Sequence, residues 1–139
     1  MRKGNPKGIK SIEDLTHPGI CLLDVNGEGS SGLWEDAAGR KGLIPEVRQR
    51  IAITVETIPE AIEQWKTAPA LDAWISFESC HYRFKEITDL VKLPKAERVY
   101  RGTAAVATQF YKNRDVARLF LIFLKTPESQ AIFRKWGWE

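Results

Sequence analysis

Three short, mostly apolar runs, each followed by a helix-forming segment, limit the possible folds more than any other feature of the sequence. The runs lie at residues 20–25, 51–55 and 72–77. Compact runs of this length are typical of buried strands. Strands that alternate with helices form parallel sheets through right-handed crossovers. The sequence therefore predicts an α/β fold with a mostly parallel sheet flanked by helices.

Local sequence signals place the remaining elements. A short helical turn is predicted near residues 11–15, capped by Ser11, and a short strand near 88–93. Thr57 and Glu60 have the spacing of a capping box at the start of a helix. Asn113 and Thr126 are the predicted N-caps of two closing helices. Helices are predicted over 33–38, about 45–50, 57–67, about 78–84, 113–124 and 126–137, and an extended stretch over 98–109.

Composition and charge narrow the class of protein. The 139 residues are 43% hydrophobic and 28% charged, which is ordinary for a compact domain. A net charge of +3 comes from 21 basic and 18 acidic residues, with no Lys/Arg block. A nucleic-acid partner is therefore not expected. The charge is compatible with a small anionic ligand.

The cysteines and the N-terminus bear on the compartment. Cys21 and Cys80 are expected not to be bonded to each other, with Cys21 a buried thiol in the first strand. The basic start of the chain is followed by Gly and Pro instead of the apolar stretch of a signal peptide. As given, the chain is expected to be cytoplasmic if it is the full product, or a piece of a longer exported protein.

The loop at residues 27–32, between a predicted strand and helix, is the best candidate for a binding site. Its glycines allow close backbone approach, and a helix N-terminus can hold an oxyanion through N–H groups. Ser30 and Ser31 add hydroxyl donors beside Gly32. The alternative is that Ser30 or Ser31 only caps the helix. Glu35 and Asp36 weaken the anion interpretation because they would repel a dianion.

A second candidate lies at Thr57 and Ile58, where another helix follows a strand. Ligands collect at the carboxyl ends of parallel strands. However, Pro59 supplies no N–H, and Glu60 folding back would fill the place of an anion. No serine lies in a nucleophile elbow and no lysine follows the glycines as in a phosphate-binding loop. We therefore expect no catalytic residues, no metal site and no cofactor.

The apolar run at residues 119–124 is unusual because six consecutive apolar residues cover every side of a helix. Such a helix must be buried on more than one face. Aromatic residues surround this run, and packing explains them better than base stacking, since basic residues are not interleaved among them.

Several motifs are spread over most of the chain, from about Asn5 to Trp138. They are Asn-Pro-Lys at 5–7, Gly-Leu-Trp-Glu-Asp at 32–36, Ala-Gly-Arg at 38–40, Asp-Ala-Trp-Ile at 72–75, Pro-Glu-Ser-Gln-Ala-Ile-Phe at 127–133 and Trp-Gly-Trp at 136–138. Together these motifs resemble the accessory colonization factor proteins, a branch of the periplasmic molybdate/sulfate-binding family.

The resemblance implies one lobe of a two-lobe, type II solute-binding protein. Residues 1–110 would form the second lobe with its hinge strands, and 111–139 would be helices that pack on a first lobe absent from this chain. Relatives hold a tetrahedral oxyanion by hydroxyls and backbone N–H groups. The second-lobe contacts correspond to Ser31, to Thr57 with Ile58, and to Phe77, which lacks the hydroxyl of the family's tyrosine.

The expected function is thus that of an oxyanion-binding lobe of a transport or chemosensory receptor, truncated and weak alone. The family implies a periplasmic location, with a membrane permease of an ABC transporter as partner only if a full receptor exists. The alternative is a module without ligand that forms a dimer or other homo-oligomer, or joins a separate first-lobe chain. An enzyme on the same fold would need an acid–base pair or a cofactor lysine, and the sequence displays neither.

Overall fold

The computed structural model describes residues 1–27, 29–110 and 112–138 and contains a three-stranded parallel sheet. The strands are β1 (Leu22–Val25), β2 (Ile51–Val55) and β3 (Ala73–Trp74), in the order β2-β1-β3. Because both pairings are parallel, the chain crosses over between strands through helices. The predicted α/β class is confirmed.

Six α-helices accompany the sheet within the described residues. They are α1 (Leu33–Gly39), α2 (Ile44–Arg48), α3 (Ile58–Thr67), α4 (Glu78–Arg83), α5 (Arg114–Phe123) and α6 (Pro127–Lys135). All six correspond to predicted helices, with ends that differ by a few residues. A 3-10 turn at Glu13–Thr16 replaces the predicted helical turn. The residue directly before it is Ile12, which makes no side-chain cap, while the Asp14 N–H donates to Ser11 Oγ over 3.3 Å.

The chain divides into two compact units, Met1–Val99 and Tyr100–Glu139. The first contains the sheet and α1 to α4, and the second contains α5 and α6. The boundary inferred from the sequence, between residues 110 and 111, stays a prediction because it concerns packing on a lobe outside this chain.

The first unit buries apolar side chains on both faces of its sheet. Neighbouring residues of β1 point to opposite faces, so Leu22 packs with Trp34 and Val47, while Leu23 packs with Trp65. One face is therefore covered by α1, α2 and the 3-10 turn, and the other by α3. This double cover explains why the central strand β1 is apolar apart from Asp24, whereas β2 at the edge alternates between half-buried and exposed residues.

Arg2 joins the N-terminal segment to the end of α3. Its guanidinium donates to the carbonyls of Trp65, Ala68 and Leu71 at 2.5, 2.5 and 2.6 Å. It also lies 4.1 Å from the centre of the Trp65 ring. A cation is favourable at the C-terminal end of a helix, where carbonyls lack partners. Arg2 thus stabilises the end of the helix that covers one face of the sheet.

Two strand predictions need correction. The strand predicted near residues 88–93 is wrong: Thr88 forms only an isolated antiparallel bridge with Arg2, and the segment that follows has no regular structure. The strand predicted over 72–77 is limited to β3, because only two of its residues pair with β1. β-Branched and apolar residues favour a strand only where a partner strand is available.

The two cysteines are free, which confirms that they do not pair with each other. The expected position of Cys21 is wrong in detail, since it precedes β1 and is half-buried. Its backbone N–H donates to the carboxylate of Asp72 over 2.9 Å, which anchors the start of β1 to the start of β3.

The second unit consists of an irregular segment and two helices. The caps predicted for these helices are confirmed: Asn113 accepts from the N–H of Val116 over 3.2 Å, and Thr126 accepts from that of Ser129 over 3.2 Å. The stretch at 98–109 contains no strand. Many large apolar side chains of α5 and α6 are exposed, among them Leu119, Phe120, Ile122 and Ile132, and so is Trp136 directly after α6.

Candidate functional site

The residues predicted to contact a ligand all follow strands of the parallel sheet. Ser30, Ser31 and Gly32 come after β1, Thr57 and Ile58 after β2, and Phe77 after β3. Because β1 lies between the other two strands and all three are parallel, their carboxyl ends share one edge. This edge is where ligands bind in open α/β sheets. The structure therefore places the three predicted segments at the same edge.

The loop after β1 packs directly against the end of β2. The N–H of Asn26 donates to the carbonyl of Val55 over 2.8 Å. A side chain at Gly27 would collide with the carbonyl oxygen of Glu56, so only glycine permits this approach. The loop after β1 is thus held at the start of α3. Glu28 of the predicted loop lies outside the described residues.

The two serines of this loop have different environments. Ser30 is buried and its N–H donates to the carbonyl of Gly27 over 2.9 Å, whereas the exposed Ser31 hydroxyl donates to the carbonyl of Asn26 over 3.1 Å. Neither side chain caps α1, which follows Gly32 at a φ of 72°. The alternative role of Ser30 or Ser31 as a helix cap is therefore wrong. Gly32 takes this position because a left-handed φ favours glycine.

The N–H groups at the start of α3 are already occupied. Oε2 of Glu60 accepts from the N–H groups of Glu56 and Thr57 at 3.0 and 3.2 Å, and the Thr57 hydroxyl oxygen accepts from the Glu60 N–H at 3.4 Å. This is the predicted capping box. A ligand at Thr57 and Ile58 would have to displace the Glu60 carboxylate, so their contact role stays a prediction.

The segment after β3 presents a donor that the sequence interpretation missed. Phe77 is half-buried and precedes α4 without a side-chain cap. The adjacent Ser76 has a buried hydroxyl without a hydrogen-bond partner among the described residues, and the same holds for the indole N–H of Trp74. The family resemblance assigns the contact to Phe77, so the serine immediately before it was not among the predicted contacts.

The charges of two carboxyl groups, those of Asp24 in β1 and Glu35 in α1, interact, which the sequence interpretation also missed. Burial, and then the charge of Glu35, raise the pKa of Asp24 above its ordinary value, while hydrogen bonds from Thr54 and Trp34 oppose the shift. Oε2 of Glu35 is buried without a partner among the described residues. Asp24 lies within an apolar run and Glu35 in a helix, so only the fold reveals this interaction. Their negative charge acts against a dianion bound nearby.

An open pocket of about 650 Å³ lies elsewhere in the first unit, lined by residues that include Lys3, His81, Lys85 and Asp89. The Lys3 ammonium is paired with Asp89 at 3.0 Å, and none of the predicted contact residues lines the pocket. In the described part of the chain, no group of three or more His, Cys, Asp or Glu side chains could hold a metal ion. Over the same residues, no helix has the length and apolar character needed to cross a membrane.

Comparison with known proteins gives the family. The model of the bacterial extracellular solute-binding proteins matches residues 1–139. The sulfate-binding protein of Synechococcus elongatus is 26% identical over 155 residues, which cover 98% of this chain and 44% of that protein. The chain belongs to the bacterial extracellular solute-binding protein family, which confirms the class inferred from the sequence motifs.

Solved structures of PEB3 from Campylobacter jejuni have the same fold. A glycosylated PEB3 variant superposes with a TM-score of 0.84 at 28% identity, and PEB3 bound to L-phospholactate with a TM-score of 0.80 at 26% identity. Each match covers 99% of this chain and 62% of the PEB3 chain. The chain therefore spans 44% of the length of the sulfate-binding protein and 62% of that of PEB3, less than two thirds of either.

Proposed function

We propose that this chain is an oxyanion-binding lobe of an extracellular solute-binding protein that serves a transport system or a chemosensory receptor. The observation that carries the proposal is the meeting of three strand ends at one edge, with the glycine loop after β1 held against the end of β2. Two relatives support the ligand class. One is named a sulfate-binding protein and another contains L-phospholactate, and both ligands carry a tetrahedral oxyanion.

The donors in this proposal are neutral. They are the N–H groups of Ser31 and Gly32, which donate no backbone hydrogen bond to another described residue. Each hydrogen bond from a neutral donor to an anion contributes about 1.5–3 kcal/mol, whereas association costs about 4–15 kcal/mol. The Asp24 and Glu35 carboxyl groups reduce the affinity further. The lobe alone therefore binds weakly, and a first lobe would supply the missing donors.

The location and partners follow from this proposal. The family is extracellular by its description, so we place the working protein in the periplasm, with a membrane permease as partner of the full receptor. We further propose that the site binds its ligand without catalysing a reaction. The interacting carboxyl groups of Asp24 and Glu35 are the feature that an enzyme hypothesis would use. A search for hydrolysis of L-phospholactate by the wild type would detect such an activity.

Titration of the isotope-labelled protein tests the proposal. Sulfate, molybdate, tungstate and L-phospholactate, each compared with chloride at matched ionic strength, are expected to shift the amide signals of residues 30–32. Gly32→Ala strains a left-handed φ at the loop and should reduce the response. Gly19→Ala is the matched control, because Gly19 has a φ of 82° and lies before β1, at the other edge of the sheet. No shift at residues 30–32 with saturating oxyanion would contradict the proposal.

A second candidate function, self-association, is favoured by the exposed apolar side chains of α5 and α6. Phe120 is 56% exposed and Ile122 54%, on a helix whose apolar residues cover several sides. Burying four such side chains contributes roughly 6–12 kcal/mol before association costs. This is enough to form a homodimer, or a complex with a separate first-lobe chain.

Light scattering at micromolar concentration tests the second candidate. We expect a dimer for the wild type, and a lower mass for Phe120→Ser. Val106→Ser is the control, because Val106 is exposed but lies outside both helices. A soluble 15.8 kDa monomer for the wild type would rule self-association out.

A further inference from the structure

The segment after β3 contains two buried donors without partners. The Ser76 hydroxyl and the Trp74 indole N–H have no hydrogen-bond acceptor among the described residues, although both atoms are shielded from solvent. Buried polar groups in folded proteins are nearly always paired, so each exception requires an explanation. By contrast, the indole N–H of Trp65 on the same face of the sheet donates to the carbonyl of Ile87 over 3.2 Å.

The position of Ser76 relates these donors to the candidate site. Leu23 of β1 pairs with Trp74 of β3 in parallel. Ser76 lies two residues beyond Trp74, the last residue of β3, just as the loop after β1 lies beyond Val25. The loop that contains Ser31 and Gly32 begins directly after Val25. Ser76 therefore belongs to the same sheet edge as the proposed oxyanion donors.

Phe77 cannot provide the contact that the family resemblance assigns to its position, because it has no hydroxyl. Ser76, one residue earlier, has a hydroxyl without a partner. A hydroxyl can donate to an anionic oxygen without adding charge to the site. A neutral donor is relevant here because Asp24 and Glu35 already bring like charges that repel each other.

We propose that Ser76 is a ligand-contacting residue whose hydroxyl donates to the oxyanion bound at the loop after β1, with the indole N–H of Trp74 as a neighbouring donor. The inference rests on the proposed function and adds to it a contact from the third strand end. The ligand class is a tetrahedral oxyanion bound by neutral donors alone, as a sulfate or a phosphate monoester would be.

Substitution of Ser76 by Ala separates a ligand role from a structural one. Removing a hydroxyl that has no partner should not lower the melting temperature of the ligand-free protein, because no hydrogen bond is lost. The apparent Kd for sulfate and for L-phospholactate should rise about tenfold, the loss expected for one hydrogen bond to a charged group. Ser129→Ala, at the buried serine of α6, is the control and should leave both dissociation constants unchanged.

The indole resonance of Trp74 gives a second measurement that needs no serine variant. Its assignment comes from Trp74→Phe, and in the wild type it should shift on titration with sulfate or L-phospholactate. Unchanged affinity of Ser76→Ala for an anion that the wild type binds would overturn this inference alone. So would a clear loss of thermal stability without loss of affinity. If the wild type binds none of the anions, the proposed function fails, and the role of Ser76 with it.

Discussion

The two compact units of this chain differ in how completely they bury their apolar side chains. In Met1–Val99 the sheet is covered on both faces, and Leu22, Leu23 and Trp65 are almost completely buried. In Tyr100–Glu139 only Ser129 is buried among the described residues. A sheet between helical layers encloses its side chains, whereas two helices have a single mutual interface. Local sequence can thus form a helix without providing a surface to cover it.

Truncating one tryptophan in each unit tests this comparison most strongly. Trp65 is 1% exposed and Trp136 is 46% exposed. Trp65→Ala removes a fully packed ring and should reduce the free energy of unfolding by about 3–5 kcal/mol. Trp136→Ala should change it by no more than about 0.5 kcal/mol. Urea unfolding followed by circular dichroism measures both, and equal losses would show that the second unit is as tightly packed as the first.

Adding one methyl group at a glycine in each unit gives a smaller effect of the same kind. Gly27→Ala drives a Cβ into the carbonyl of Glu56, whereas a Cβ at Gly102 meets nothing within 4 Å. We expect Gly27→Ala to cost about 1–3 kcal/mol. Gly102→Ala should be neutral or stabilise by up to about 1 kcal/mol, through the unfolded chain. Thermal unfolding of the two variants measures both effects. A Gly27→Ala variant as stable as the wild type would mean that the loop after β1 is not in close contact with Glu56 at the end of β2.

The smallest expected effect concerns the partly buried carboxyl group of the first unit. Because the pKa of Asp24 is raised on folding, the folded protein holds this proton to higher pH than the unfolded chain does. The resulting stability is fully present below the pKa of the unfolded chain and is lost as pH rises through the folded pKa. Asp24→Asn removes this loss, so at neutral pH it should be slightly more stable than the wild type.

The difference in unfolding free energy between Asp24→Asn and the wild type, measured from pH 3 to 8, isolates this group from other carboxyl groups. Thr54 donates a hydrogen bond that lowers the pKa of Asp24, so Thr54→Val should move the pH window upward. A difference that stays flat across the whole range would contradict the raised pKa.

Much of the fold was predictable because its causes are local. The alternation of apolar runs with helix-forming segments indicated the parallel α/β class, and the caps Thr57, Asn113 and Thr126 each bond within three residues of their own position. The prediction of a strand near residues 88–93 was wrong because strand pairing depends on a partner segment that is distant in the sequence. Only the bridge between Arg2 and Thr88 formed there.

The candidate site also has features that the sequence predicts and features that it does not. The order of residues along the chain was enough to predict that Ser31, Thr57 and Phe77 follow strands, and parallel strands bring such positions to one edge. Three features became visible only in the folded chain: Gly32 precedes α1, the charge of Glu35 acts on Asp24, and the Ser76 hydroxyl is buried without a partner among the described residues. The physical reason is that a hydrogen bond between near neighbours is encoded in their spacing. Burial and charge interactions depend instead on which distant segments the fold packs around a side chain.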